Sequence, residues 1–178
     1  PGSIVLFHAC AHNPTGADPA AADWKQLHEA CRSKGHVVLF DCAYQGFASG
    51  DPEKDIIALR EFICRGVPPL VLLCQSFAKN MGLYGERVGA CSVVCQYPTE
   101  AARVTSQLEQ IIRPMYSMPP SWGARLAAEV LNDKELFTMW KKEVAGMAHR
   151  IIGTRDLLVD ALRDAEKETG TKQKDWSF

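Results

Sequence analysis

A lysine at position 79 stands where a chain could do covalent chemistry. The apolar run Leu70-Val-Leu-Leu-Cys74 reads as a strand buried in a core, followed by Gln75-Ser-Phe-Ala-Lys79. Gly82, Gly85 and Gly89 then loosen the backbone, and Arg87 lies between the last two. An amine at the end of a buried strand, partly desolvated and beside another cation, gives up its proton readily and can attack an aldehyde to form a Schiff base. A hydroxyl (Ser76), a pliable backbone and a guanidinium (Arg87) suit a phosphate. Together they suggest pyridoxal phosphate. Ser-x-x-Lys also occurs in serine acyl-enzymes, but those require Ser-Asp-Asn and Lys-Thr-Gly elsewhere, and neither tripeptide is present. Most lysines that follow a strand are simply solvated, so the rest of the chain has to decide.

Three further side chains point the same way. Asp41 follows the apolar run Val37–Phe40. It reads either as a turn cap or as a carboxylate facing a ring nitrogen, where it would keep a pyridinium protonated and able to accept electrons. Tyr44 reads as a half-buried core tyrosine or as a donor to a phenolic oxygen. Asn13, in Ala9-Cys-Ala-His-Asn-Pro-Thr-Gly16, reads as an Asx turn or as a second donor to that oxygen. Each is weak alone. Three successive strands ending in Asn13, in Asp41 with Tyr44, and in Ser76 with Lys79 would bring all of them to one edge of a parallel sheet, where open α/β sheets place ligands.

The elements that would position them follow in order. Ser3–His8 is a short strand. Asp18-Pro19 signals a helix start with aspartate as N-cap, and the helix carries Trp24, Leu27, His28 and Cys31 to a stop at Gly35. His36–Phe40 is the second strand. Asp51-Pro52 signals a second helix with Ile56, Ile57, Leu59, Phe62 and Ile63, closed at Gly66, and Pro68-Pro69 leads into the Leu70 strand. Strand, helix, strand, helix, strand argues for parallel strands with right-handed crossovers. Arg87–Cys95 is a further strand, expected to be antiparallel. Pro98 opens a helix broken near Pro114, and Pro119-Pro120 opens another to about Leu131. Asp133 caps a long helix to about Glu168, with Leu136, Phe137, Trp140, Val144, Met147, Ile151, Leu158 and Leu162 as its apolar stripe. Gly170–Lys174 reads as a polar turn.

Composition narrows the class. A net charge of −1 implies no nucleic-acid partner, and no apolar run is long enough to cross a bilayer. Seven cysteines without a Cys-x-x-Cys pair favour reduced thiols over a disulfide scaffold or a zinc site. Pro1 leads directly into a strand and Trp176-Ser-Phe178 ends without a terminator, so the chain is expected to be part of a longer one.

Four motifs, in this order, carry a family resemblance: His12-Asn-Pro-Thr-Gly16, Asp41-x-x-Tyr44-Gln-Gly-Phe-Ala48, Gln75-Ser-Phe-Ala-Lys-Asn80 and Leu83-Tyr-Gly-Glu-Arg-Val-Gly89. Arg113-Pro-Met-Tyr-Ser-Met-Pro-Pro120 and Gly123-Ala-Arg125 continue it. The chain resembles the aspartate aminotransferase family of fold-type I pyridoxal-phosphate enzymes over essentially its whole length.

The resemblance implies an α/β fold, the second half of the large cofactor-binding domain (residues 1–145), with residues 146–178 continuing a long helix into a truncated small domain. It implies Lys79 as Schiff-base lysine and proton carrier, with Asp41 and Tyr44 completing the catalytic set. Asn13, Asp41, Tyr44, Ser76, Lys79 and Arg87 would bind pyridoxal 5'-phosphate. Asn13 and Arg113 would bind substrate, and Arg113 would reach the neighbouring site of a homodimer. His8 and His12 would lie near the ring. The implied reaction moves the amino group of aspartate to 2-oxoglutarate in a cytoplasmic or mitochondrial enzyme. Ala78, Pro114 and Met118 depart from the usual pattern, which leaves the lysine chemistry intact and the substrate preference less fixed. Other parts of the family's site fall before Pro1 or after Phe178, including the arginine for the α-carboxylate, so these residues alone are not expected to transaminate. Two other readings stay open: a preference for aromatic amino acids, and a non-catalytic truncated paralogue.

Overall fold

In the computed structural model, which describes residues 2–65, 70–170 and 176, alternation of side chains along three strands builds the core. Strands β1 (Ile4–His8), β2 (Val37–Cys42) and β3 (Leu70–Ser76) lie side by side and parallel, and β4 (Gly89–Val94) adds antiparallel to β3. The spatial order is the chain order, so the expected crossovers and the antiparallel fourth strand are both present. Helices α1 (Ala21–Ser33) and α2 (Ile57–Cys64) supply the crossovers. One sheet face packs against them: Val38, Phe40 and Val71 meet Trp24, Ala58 and Phe62, all buried. Phe7 completes an aromatic cluster, edge-on to Trp24 at 5.5 Å, as Phe40 is to Phe62 at 5.1 Å.

The opposite face differs from the sequence expectation. The β3 run was expected to be buried throughout, yet Val71 alone in that strand is fully buried, and Cys74 is exposed. On β1 the same face leaves Ile4 at 71% and Leu6 at 56% exposure. A five-residue apolar run cannot distinguish one covered face from two.

Two helix starts are also corrected. α1 begins at Ala21, with Ala20 rather than Asp18 at its N-cap. The Asp23 carboxylate accepts from the Ala20 backbone N–H at 3.0 Å, so the end is satisfied from within. Asp18 is occupied elsewhere. α2 begins at Ile57 rather than at Asp51, whose carboxylate accepts from the Glu53 N–H in a separate turn. α2 ends at Cys64. The expected stop at Gly66 and the Pro68-Pro69 lead-in lie outside the described residues.

Beyond the sheet, α3 (Pro98–Met115) takes Pro114 into its last turn, so it ends one residue later than the proline suggested. α4 (Trp122–Asn132) follows. α5 (Lys134–Thr169) is a single 36-residue helix. The Asp133 carboxylate caps it, accepting from the Glu135 and Leu136 N–H groups, and Gly170 ends it in the left-handed region. It crosses position 145 without a break. Val144 and Ala148 are buried, whereas Leu157 and Leu158 further along are exposed. Among the described residues no helix is long and apolar enough to cross a membrane.

Candidate active site

The parallel order carries three loops to one sheet edge. His8 pairs with Asp41, and Asp41 pairs with Cys74, so His8, Asp41 and Cys74 form one row across three strands. Just past that row the chain encloses a cavity of about 170 Å³ lined by His8, Cys10, Asn13, Asp41, Tyr44 and Lys79, together with Ala43. Five of these residues were expected near a ring; Cys10 was not. The Lys79 amine lies over the Tyr44 ring at 5.5 Å from its centroid, close enough for a cation–π contact that orients it. Lys79 is half-buried. It also lines a wider cleft of about 490 Å³ with His12, Asn13, Tyr84 and Arg155. Arg155 on α5 carried no local sequence signal, because it lies 76 positions from Lys79 and reaches the cleft only through tertiary packing.

Local hydrogen bonds fix each loop. The Asp18 carboxylate accepts from the Ala11 N–H at 2.6 Å and the His12 N–H at 2.9 Å, which clamps the Asn13 loop. His8 Nδ1 accepts from the Asn13 N–H at 3.1 Å, so a neutral His8 carries its proton on Nε2. His12 packs against His8 with ring centroids 4.6 Å apart and shares a hydrogen bond with the Thr15 hydroxyl. It therefore supports the loop and His8 and does not line the small cavity.

The Tyr44 loop closes around a buried carboxylate. Asp55, 5% exposed, accepts from the Gly46 N–H at 2.7 Å, the Ala48 and Ser49 N–H groups, and the Ser49 hydroxyl at 2.6 Å. Gly46 has φ +95° and packs so closely on α5 that a Cβ there would overlap Val144 Cγ1. The Lys79 loop is tied to both neighbours: Asn80 Nδ2 donates to the Gln45 carbonyl at 3.1 Å, and the Trp140 indole N–H donates to the Asn80 carbonyl at 2.8 Å.

The expected phosphate ligands stand apart from the small cavity. The Ser76 hydroxyl accepts from the Ala78 N–H at 3.2 Å. Arg87 is exposed, and its guanidinium donates to the Tyr84 carbonyl at 3.3 Å. Ser76 faces Gly89 across the β3–β4 ladder, which brings both side chains to the same strand ends, but neither lines a cavity with Lys79. Arg87 is held in the left-handed region at φ 50°, which costs a non-glycine residue about 1 kcal/mol. Gly123 at the start of α4 supports this segment, since a Cβ there would stand 2.7 Å from Glu86 Cβ and 3.1 Å from Val88 Cβ. Arg113 lies in the last turn of α3, exposed, donating to the Ser117 hydroxyl at 2.8 Å, and lines no cavity with Lys79.

Cys10 and Cys42 are buried neighbours at the ends of β1 and β2. The adjoining Cys42 thiol and burial push the Cys10 thiol well above the ordinary range, so Cys10 meets the small cavity as a neutral group.

The family model described as aminotransferase class I and II matches residues 1–176. The chain belongs to this family. This aminotransferase chain is 56% identical over 176 residues to a mitochondrial aspartate aminotransferase of Dictyostelium discoideum, covering 99% of the chain and 40% of that protein. It is 54% identical over 177 residues to the chloroplastic aspartate aminotransferase 3 of Arabidopsis thaliana, covering 99% of the chain and 38% of that protein. A crystal structure of an aromatic-amino-acid aminotransferase from Burkholderia pseudomallei, covalently bound to pyridoxal phosphate, superposes with a TM-score of 0.88 at 44% identity, over 93% of the chain and 41% of that structure. The chain thus spans about 40% of the length of the curated relatives it matches.

Proposed function

We propose that this chain carries the central part of the pyridoxal-phosphate site of an aspartate aminotransferase. One observation carries the reading: an amine and a carboxylate, both without opposite-charge partners among the described residues, line one small cavity. No group there donates to the Asp41 carboxylate, and the Lys79 amine meets no carboxylate, only the Tyr44 ring. An aldehyde-bearing ring with a cationic nitrogen fits that pair. When bound, such a group supplies an aldehyde that condenses with an amine and a protonated ring that withdraws electrons from the attached carbon.

The residues of the chain supply the rest. Asp41 would hold the ring nitrogen protonated, because an adjacent carboxylate favours the charged form. Tyr44 and Asn13 would donate to the phenolic oxygen, and Tyr44 also orients the Lys79 amine through its ring face. Lys79 would bind the aldehyde and, once displaced by an amino acid, take the proton from Cα and return it. Ser76 and Arg87 would hold the phosphate, exchanging their present contacts with Ala78 and Tyr84 for it. Asn13 and Arg113 would meet substrate carboxylates, Arg113 across a homodimer interface, which accords with its exposed position at the end of α3. The substrates would be aspartate and 2-oxoglutarate. The aromatic specificity of the Burkholderia pseudomallei protein keeps aromatic amino acids as a second reading. We place the domain division near position 145, on α5 between its buried part at Val144 and Ala148 and the exposed Leu157 and Leu158. The seven free cysteines accord with a reducing compartment, the cytoplasm or the mitochondrion.

The test is direct. Pyridoxal phosphate added to the purified chain should give a visible absorbance band. Borohydride reduction should then fix it to Lys79 in a peptide map, and Lys79→Ala should abolish both. Unmodified Lys79 after reduction would sink the proposal and support a non-catalytic paralogue. In the parent protein, aspartate competing with phenylalanine for one pool of 2-oxoglutarate separates the two substrate readings.

A further inference from the structure

Gln45, the residue after Tyr44, is bonded to three separate segments, and all of these partners belong to this chain. Its side-chain Nε2 donates to the Pro52 carbonyl at 3.1 Å, and its Oε1 accepts from Gln75 Nε2 at 2.6 Å. Its backbone carbonyl accepts from Asn80 Nδ2 at 3.1 Å. A backbone carbonyl can only accept, so the Pro52 and Gln45 carbonyls fix which way the Gln45 and Asn80 amides are turned, and Gln75 must donate. Gln45 thereby reaches the Lys79 segment from both sides. Gln75 stands on β3 before Lys79 in sequence, and Asn80 directly follows it. The Lys79 carbonyl accepts from the Gly82 N–H at 3.0 Å, so the turn that carries the amine is also closed on itself.

Asn80 supplies a second observation. It is 1% exposed, yet its Oδ1 is buried and accepts from no donor among the described residues. An unmet buried acceptor costs stability, and an apolar side chain of similar volume would avoid that cost. Departures of this kind collect at functional sites. Here the departure falls on the residue next to Lys79, whose amide donor is committed to Gln45.

We infer that Gln45 is a positioning residue for Lys79. It holds Asn80 on one side of the lysine and Gln75 on the other. Being joined directly to Tyr44, it sets the Lys79 amine over the Tyr44 ring, 5.5 Å from the centroid. Gln45 lines no cavity with Lys79 and acts only through these neighbours. Its task rests on the proposed function, because what it places is the amine that is to meet an aldehyde.

The test uses the parent protein, freed of cofactor and reloaded with pyridoxal phosphate. Borohydride-fixed label on Lys79 is followed against time by peptide mapping. In Gln45→Leu the rate at Lys79 should fall about tenfold or more, since misplacing a reacting group by about 1 Å can cost about 100-fold. Lost stability alone must be separated from lost placement. Phe62→Leu, which weakens the buried core away from the lysine, should therefore label at the wild-type rate. In Gln45→Leu/Gln75→Leu both amides of the pair are apolar, so the urea midpoint should recover part of what Gln45→Leu loses, while Lys79 stays slow to label. An unchanged rate in Gln45→Leu would overturn the assignment. So would a slow rate in Phe62→Leu, or a rate that returns with the midpoint in the double variant. A wild-type parent with no label on Lys79 would instead sink the proposed function, and the role of Gln45 with it.

Discussion

The Trp140 indole N–H donates to the Asn80 backbone carbonyl at 2.8 Å, across 60 positions of sequence, and so joins the long helix to the residue next to Lys79. Trp140→Phe keeps an aromatic ring but leaves that part-buried carbonyl without its donor. Such a loss costs about 1–3 kcal/mol, and urea denaturation should show it. Because the lost contact steadies the Lys79 loop, pyridoxal-phosphate binding should weaken as well, and binding unchanged at reduced stability would show that the helix serves the fold alone.

Asp55 is the largest single polar commitment of the Tyr44 loop, with three backbone N–H groups and one hydroxyl donating to it. Asp55→Ala strands these donors in a buried site. A loss of about 3 kcal/mol or more is expected, since each uncompensated buried donor costs about 1–3 kcal/mol. Asp55→Asn, which keeps one acceptor oxygen, should lose less. Equal losses in equilibrium denaturation would mean that the loop is held by its packing instead.

Gly46→Ala combines two penalties, a left-handed backbone and an overlap with Val144. The single variant should lose about 2 kcal/mol or more. Truncating the neighbour in the double variant Gly46→Ala/Val144→Ala should recover the overlap but not the backbone part, giving a coupling energy of about 1 kcal/mol in a double-mutant cycle. A coupling of zero would show that α5 does not rest on this glycine.

Arg87→Gly separates strain from binding. The glycine relieves the left-handed conformation, while its added freedom in the unfolded chain opposes the gain, so stability should change by less than about 1 kcal/mol. If the guanidinium holds the phosphate, the Kd for pyridoxal phosphate should rise about tenfold or more, since a hydrogen bond to a charged group contributes about 1.5–3 kcal/mol. An unchanged Kd would remove Arg87 from the site.

Burial raises the Cys31 thiol above its ordinary value of 9.0. The folded chain then holds this proton more tightly than the unfolded one. The contribution is fully present below about pH 9, and stability declines as pH rises from there toward the folded value. Denaturation midpoints between pH 8 and about pH 10.5 should fall, and fall less steeply in Cys31→Ala. Parallel slopes in the two proteins would assign the decline to other groups.

Five residues of the small cavity, His8, Asn13, Asp41, Tyr44 and Lys79, were legible because each ends an apolar run or follows one by a few positions, and parallel strands gather such ends at one edge; Cys10 was not. The supports were not legible. Asp55, Trp140 and Arg155 owe their roles to partners brought close only by packing, and their local sequence resembles any helix or turn. Asp18 shows the converse error. Asp-Pro is a helix-start signal, but the same carboxylate can turn back to the preceding loop, and here Ala11 and His12 claim it. Short apolar runs likewise gave the strands but could not say that one sheet face would carry exposed Ile4 and Leu6.

The long helix is held near its beginning, by Trp140, Val144 and Ala148, and is little covered beyond. From Ala148 to Thr169 it extends roughly 32 Å at 1.5 Å per residue. That makes it a lever with a short arm against the lysine loop and a long one reaching outward. A tilt of a few degrees would sweep the distal tip through ångströms while shifting Trp140 by only tenths.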